Sequence, residues 1–256
     1  MANDVGAVLG AIRETAEQRI RPEAERIDRE RAFPAENLRL LGEAGALGLV
    51  VPAEHGGSGG ALTALAEACE AVGAACASTG MVFLMHSVTA ATVAAGGGPA
   101  APELLRRMAS GEALGTLAFS ERGTGAHFYA PELKAERANG SLRISGRKSF
   151  VTSGGHADAY LVLVQGEVEG VADAYLVRGD QAGVTADGSW AGLGMAGNSS
   201  VALDLRDVEV SAEARIGGEG EALGLVFSAV APFFLVGLSA VSVGIASAAE
   251  ASAVAH

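Results

Sequence analysis

Three segments of the chain combine residue types that can handle a planar, electron-rich ligand. The first is Leu117–Phe128, LAFSERGTGAHF, in which an apolar run ends in Ser120-Glu121 and enters a glycine-rich turn. Such a turn offers backbone N–H groups and a hydroxyl to a ring edge or a pyrophosphate, although an ordinary glycine turn has the same composition. The second is Ser145–Asp158, SGRKSFVTSGGHAD. In an extended strand Phe150 and Thr152 share one face and Val151 points to the other. An aromatic ring beside a hydroxyl can stack on a planar ring and bond its edge; a plain alternating strand would read the same way. The third is LGMAGNSSVALDLRDVEV from Leu193, a turn followed by a strand.

Other chemistries find less support. Gly56–Gly60, GGSGG, matches G-x-S-x-G with Ser58 as nucleophile, but Pro52-Ala53-Glu54-His55 separates it from the apolar run LGLVV. A nucleophile elbow needs a strand running directly into the turn, so a flexible loop between helices is expected here. The histidines are His55, His86, His127, His156 and His256; none are spaced i, i+4, and C-x-x-C is absent, so no metal site is expected. His86 lies in the apolar stretch MVFLMHSV. It reads either as a satisfied core or interface histidine or as a polar group lining a ligand pocket. Cys69 and Cys76 are the two cysteines. On one helix they would share a face roughly 10 Å apart, too far for a disulfide. Two free thiols fit a reducing compartment, and a cytoplasmic location is expected.

These residues need elements to hold them. Residues 5–30 carry apolar positions at helical spacing, interrupted by Pro22; residues 35–46, 61–78, 80–96 and 102–109 read as further helices. From Leu114 the pattern changes to short strands and turns: TLAFS, PELKAERA, SLRISGRKSFVT, AYLVLVQ, ADAYLVR, GVTAD and VALDLRDVEV. Ala138-Asn139-Gly140 is a hairpin signal. Because no helix of credible length interrupts the run, an antiparallel β domain is expected. Residues 222–249 then contain no charge. That length suggests a membrane span. Pro232, the interleaved Gly and Ser residues, and the lack of closely flanking Lys or Arg point instead to a pair of helices buried in a bundle, with no membrane span. The sequence finishes at AEASAVAH, still in helical register, so partner helices are expected from a longer chain or another subunit. The expected class is α+β with several domains: helical 1–113, β 114–220, and the truncated start of a helical bundle, 221–256.

The chain has 256 residues, 49% hydrophobic, and a net charge of −12 with only two lysines, Lys134 and Lys148. It can bury a core, and no basic patch invites nucleic acid or an anionic membrane. The N-terminal segment carries Asp4 and no basic stretch, unlike a secretory signal.

The order of these segments resembles the acyl-CoA dehydrogenase family of flavoproteins. Ser120-Glu121-Arg122-Gly123-Thr124-Gly125-Ala126-His127 is similar to the family's T-E-P-G-A-G-S-D. Ser145-Gly146-Arg147-Lys148-Ser149-Phe150-Val151-Thr152 is similar to N-G-x-K-x-[WF]-I-[TS], and Leu193-Gly194-Met195-Ala196-Gly197-Asn198-Ser199-Ser200 to L-G-x-R-G-x-x-S. VPAEHGGSGG looks like V-P-E-x-x-G-G-x-G. The resemblance covers nearly the whole chain. It implies an acyl-CoA dehydrogenase-like fold with a C-terminal four-helix bundle, FAD against the middle domain, and α,β-dehydrogenation of an acyl thioester with hydride passing to flavin N5.

Carried over, the resemblance implies cofactor contacts at Leu117, Ala118, Phe119, Ser120, Gly125, Ala126, Phe150, Val151 and Thr152. Ser120 would donate to the N1/O2 edge, Phe150 would pack on the ring, and Thr152 would bond near N5. Helix 80–96 would line the acyl end of the pocket, which makes His86, with Ala126 and Phe234, an expected substrate contact. The family's Ser-Asp is Ala126-His127 here, which removes a hydroxyl near the thioester's arm; a carrier-protein thioester therefore stands beside acyl-CoA as substrate. Phe234 stands at one of the two places where the family carries its catalytic glutamate, and the other lies beyond this sequence, so the catalytic base is unassigned. The family's R-x-x-F-G segment is also missing. An electron-transferring flavoprotein or similar acceptor and a homo- or hetero-oligomer are implied. Two alternatives stand beside the dehydrogenase: a flavin monooxygenase on the same scaffold, which needs no carboxylate base, and a non-catalytic partner subunit.

Overall fold

A computed structural model of the chain describes residues 4–255 apart from Ala126, Asn139, Gly140, Glu167 and Glu169. Asp4 starts the first helix, α1 (Val5–Thr15), by accepting the Ala7 N–H at 2.8 Å. The expected break at Pro22 is mild. A π turn (Ala16–Ile20) and a 3₁₀ turn (Arg21–Glu23) carry the helical path into α2 (Ala24–Glu30), so the chain is retuned rather than broken. α3 spans Ala35–Glu43, shorter than expected. The loop around Ser58 follows a 3₁₀ turn (Ala53–His55) and is pinned by backbone bonds such as Ser58 N–H to the Gly48 carbonyl, 3.0 Å. The strand that a nucleophile elbow requires is absent there.

α4 (Leu62–Ala75) and α5 (Ala77–Gly96) meet at Cys76, whose extended backbone (φ −155°, ψ 112°) ends one helix and starts the next. The expectation that Cys69 and Cys76 share a helix face is thereby corrected, since only Cys69 lies within a helix. Both thiols are buried and free. α6 (Ala101–Ser110) completes the N-terminal helices.

Strands follow in two four-stranded sheets. One has the order β1-β4-β5-β8 and the other β2-β3-β7-β6, with β1 Gly115–Ala118, β2 Ala135–Ala138, β3 Ser141–Val151, β4 Ala159–Gln165, β5 Ala172–Arg178, β6 Val184–Asp187, β7 Val201–Val210 and β8 Arg215–Ile216. The expected all-antiparallel domain needs one correction, because β1 and β4 pair in parallel. A parallel pair needs a long crossover. The chain supplies it by routing through β2 and β3 of the opposite sheet, without a helix. The hairpin signal at Asn139-Gly140 lies outside the described residues, but β2 and β3 on either side pair antiparallel.

β4 is buried on both faces. Tyr160, Val162 and Val164 pack against the other sheet, while Leu161 and Leu163 pack against the helices. That is why AYLVLVQ reads as an unbroken apolar run.

The final segment departs from the expected helix pair. α7 (Ala222–Leu225), a π turn (Val226–Val230) and α8 (Ala231–Ala255) form one continuous helical run. Pro232 sits in the first turn of α8, immediately after the π turn, where the widened ladder relieves the usual clash with the preceding turn. α8 lies against α4 at backbone distance. A Cβ on Gly244 would stand 2.2 Å from the Glu70 carbonyl oxygen, so only glycine fits there. By length and composition both Ala77–Gly96 and Ala222–Ala255 could cross a membrane. The first is 78% buried within the fold and is a core helix, whereas the second is 28% buried and leaves an apolar face open.

Candidate functional site

A cleft of about 390 Å³ runs between the β sheets and the helices. Its β wall comes from Leu117, Phe119 and Ser120 at the end of β1, from Ser149, Phe150 and Thr152 at the end of β3, and from Trp190, Met195, Asn198 and Ser200 in the approach to β7. Its helical wall comes from Met81 and Met85 of α5 and from Val230, Phe234 and Leu238 around α8, with Phe128 at the loop. The walls are mostly apolar, with a few polar groups converging on one side, the composition of a small-molecule site.

Local structure explains why these side chains meet. The β3–β7 register shifts between Lys148 and Val151, and Phe150 adopts φ +54°. That left-handed backbone costs about 1–2 kcal/mol in a residue with a Cβ. It throws the Phe150 ring outward, 72% exposed, into the cleft. Beneath it Lys148 is fully buried. Its ammonium donates to the Glu121 carboxylate at 2.6 Å, to the Phe119 carbonyl at 3.3 Å and to the Leu163 carbonyl, which uses all three protons. The Glu121 carboxylate also accepts the backbone N–H groups of Glu132 and Leu133. Burial lowers the Lys148 ammonium from its ordinary range, and Glu121 opposes that shift.

Thr152 and Ser200 exchange a hydroxyl–hydroxyl bond at 3.0 Å, and the Thr152 carbonyl accepts from the Thr116 hydroxyl at 2.9 Å. The Trp190 indole N–H donates to the Met195 carbonyl at 3.0 Å. The loop carrying it is tied to the N-terminal helices by Arg31 to the Trp190 carbonyl, 2.9 Å, and by Gly197 N–H to the Ser78 hydroxyl, 3.0 Å.

Several expected site residues stand elsewhere. Leu117, Phe119, Ser120, Phe150, Thr152 and Phe234 line the cleft. Ala118 and Val151 point into the core between the sheets, the opposite side of their strands, so their side chains take no part. Gly125 is exposed at φ +54° and is not among the lining residues; Ala126 lies outside the described residues.

His86 requires a correction, because it is fully buried away from the cleft. Its Nε2–H donates to the Leu47 carbonyl at 3.0 Å, and its Nδ1 accepts the Gly115 N–H at 3.3 Å. With both nitrogens used, the ring joins α5 to β1 and has nothing left for a substrate. Desolvation pushes its pKa down to about 4. Conversely, Met81, Met85, Trp190 and Leu238 were not singled out from the sequence. Met81, Met85 and Leu238 lie at helical spacing and look like core, Trp190 lies in a loop, and only the tertiary gap turns them into lining.

The flavin implied by the resemblance can be tested against this cleft. Ser120 and Ser149 line it, and neither hydroxyl has a protein hydrogen-bond partner among the described residues. An exposed aromatic ring stands beside them. Unpartnered hydroxyls next to a stacking ring, between apolar walls, fit the polar edge and the faces of a planar heterocycle. Among the described residues, no Asp or Glu lines the cleft. No group of three or more potential metal ligands occurs among the described residues either.

Comparison with known proteins gives the same picture. The family models for the acyl-CoA dehydrogenase N-terminal domain and middle domain match residues 4–112 and 116–208. The probable acyl-CoA dehydrogenase YngJ of Bacillus subtilis is 29% identical over 96% of this chain and 66% of its own length. Among solved structures, butyryl-CoA dehydrogenase from Megasphaera elsdenii superposes with a TM-score of 0.90 at 23% identity, covering 99% of this chain and 68% of that one. FMN-bound TdsC from Paenibacillus sp. A11-2 superposes at 0.83 with 25% identity, covering 94% and 62%. The chain spans between 57% and 66% of the length of the first curated relatives it matches. On the match of both domain models along most of its length, the chain belongs to the acyl-CoA dehydrogenase family.

Proposed function

We propose that this chain forms the FAD-facing and acyl-facing part of an oxidoreductase that dehydrogenates an acyl thioester, carried on CoA or on a carrier protein, between its α and β carbons. The observation that carries this reading is the pairing of unpartnered Ser120 and Ser149 hydroxyls with the outward Phe150 ring on one wall of an apolar cleft. When bound, the flavin supplies the acceptor for the β-hydrogen as hydride at N5 while the α-proton leaves to a base.

This chain's residues bind and orient. Ser120 would donate to the ring's N1/O2 edge, Thr152, bonded to Ser200, would hold a hydroxyl toward N5, and Phe150 would pack on the ring. Fixed donors at those atoms stabilise negative charge that develops on reduction. Met81, Met85, Phe234 and Leu238 exclude water and shape the acyl end, which matters because the α-carbon is a weak acid. An electron-transferring flavoprotein or similar acceptor, an oligomeric assembly and a cytoplasmic setting belong to the same reading. The family resemblance supports the acceptor and the assembly, and the free buried thiols support the setting.

Phe234 on the cleft wall, at one of the two places where the resemblance expects a glutamate, supports a second reading, a flavin monooxygenase on this scaffold, which needs no carboxylate base. One experiment separates the two. The purified protein is mixed with FAD, desalted, and its visible spectrum recorded before and after anaerobic addition of butyryl-CoA or a carrier-bound acyl thioester. Retained flavin that bleaches supports the dehydrogenase. Retained flavin that never bleaches but consumes oxygen when reduced supports the monooxygenase. No retained flavin overturns both.

A further inference from the structure

We infer that Lys148 and Glu121 are positioning residues: their buried ion pair sets the spacing between the end of β1 and the bulge of β3, and so aims Ser120, Ser149 and Phe150 at one ligand. The inference rests on the proposed flavin reading for the identity of that ligand.

The connectivity is specific. Lys148 is the residue at which the β3 register begins to shift, two positions before the left-handed Phe150. Its ammonium reaches the Phe119 carbonyl and the Glu121 carboxylate, which flank Ser120, and the Leu163 carbonyl on β4. Glu121 in turn holds the backbone at Glu132 and Leu133. Directly above this pair the Ser149 N–H donates to the Ser120 carbonyl at 2.8 Å, joining two cleft residues from different strands. The pair touches no cleft surface itself, since Lys148 is fully buried and Glu121 is 9% exposed.

A buried ion pair is weak evidence of a stability role, because well-packed apolar residues often replace one without loss. Of the backbone it joins, Phe119 lines the cleft and runs into Ser120, and Lys148 itself runs into Ser149 and Phe150, which points to geometry as its purpose. Phe150 needs such a device, because a residue with a Cβ leaves the left-handed region unless its neighbours are fixed.

The test uses the whole chain and the double variant Glu121→Gln with Lys148→Met, which removes both charges together and so leaves neither ion unpaired. Val177→Ala, a core truncation in β5, serves as a control for destabilisation alone. Trp190 is the single tryptophan and lines the cleft, so its quenching reports FAD binding directly. Hydrogen exchange at the Ser149 amide reports the strand spacing without any flavin. Expected for the double variant are a thermal midpoint no lower than that of Val177→Ala, at least tenfold weaker FAD binding, and lost protection at Ser149. Val177→Ala keeps both wild-type values. The inference is overturned if the double variant binds FAD within twofold of wild type, or if Ser149 stays protected. Should wild type itself show no quenching by FAD, the flavin reading falls, and Ser149 exchange alone decides whether the pair sets the bulge. If the double variant does not fold, Glu121→Gln, which keeps an acceptor for Lys148, is read by the same two measurements and the same limits.

Discussion

The two walls of the cleft are built on different principles. The β wall is held by directional hydrogen bonds, among them Lys148 to Glu121, Ser149 to Ser120, Thr116 to Thr152 and Trp190 to Met195. The helical wall has Met81, Met85, Val230, Phe234 and Leu238, whose contacts are apolar and interchangeable. A ligand's polar edge needs the first kind of wall, because a donor displaced by an ångström no longer bonds. An acyl chain needs only the second, because dispersion and area burial tolerate small shifts. The fixed wall recognises chemistry and the soft wall recognises volume.

The comparison can be broken most severely at Lys148. Lys148→Met alone leaves Glu121 buried without its cation, and removing one partner of a buried pair costs about 3–5 kcal/mol; urea unfolding should show a loss of that size. His86 offers the next largest effect, since it is a polar link between α5 and β1, on α5 yet accepting the Gly115 N–H. Its folded pKa of about 4 lies below the unfolded value of about 6.5. The unfolded chain therefore binds a proton that the native chain does not. Stability from this group is complete above about pH 6.5 and falls as pH drops toward 4, by about 3 kcal/mol in all. Unfolding free energy measured against pH should carry that slope, and His86→Gln should remove its share.

Smaller effects sharpen the contrast. Gly244→Ala forces a Cβ toward the Glu70 carbonyl and should cost about 1–3 kcal/mol, which thermal unfolding will register as a loosened helical wall. Phe150→Ala removes an exposed ring and should leave stability within about 0.5 kcal/mol. FAD affinity, followed by Trp190 quenching, should nevertheless fall measurably. A large stability loss in that variant would mean that Phe150 is packing and has no free face to offer.

Much of this was legible beforehand, for identifiable reasons. Period-two alternation placed Phe150 and Thr152 on one face and Val151 on the other; in the structure the first two line the cleft and Val151 packs between the sheets. The same alternation would put Lys148 beside Phe150, yet Lys148 is buried, because the register shift between Lys148 and Val151 reverses the face. A bulge leaves no mark in the alternation of a sequence. Ala118 was carried over from the family resemblance together with Leu117 and Phe119, although strand geometry sends its side chain the other way. His86 could be read as core or lining from its apolar surroundings, and only its two partners, Leu47 and Gly115, settle which. The parallel pairing of β1 and β4 stayed hidden because the crossover is made of strands, while the familiar signature of a crossover is a helix.

That crossover also has a consequence in time. The strands of one sheet (β1, β4, β5, β8) interleave along the chain with those of the other (β2, β3, β7, β6). Neither sheet can be completed until β7 or β8 exists: β1 must wait for β4, whose Ala159 pairs with Gly115, and β5 for β8, whose Ile216 pairs with Ala174. Non-local pairing of this kind is slow to form and exposes unpaired edges meanwhile. The antiparallel β2–β3 and β4–β5 pairs can assemble locally, whereas the parallel β1–β4 seam, with Ser120 at its end, is among the last parts to close. A nascent chain is therefore vulnerable to edge-to-edge association at the very strands that later frame the cleft.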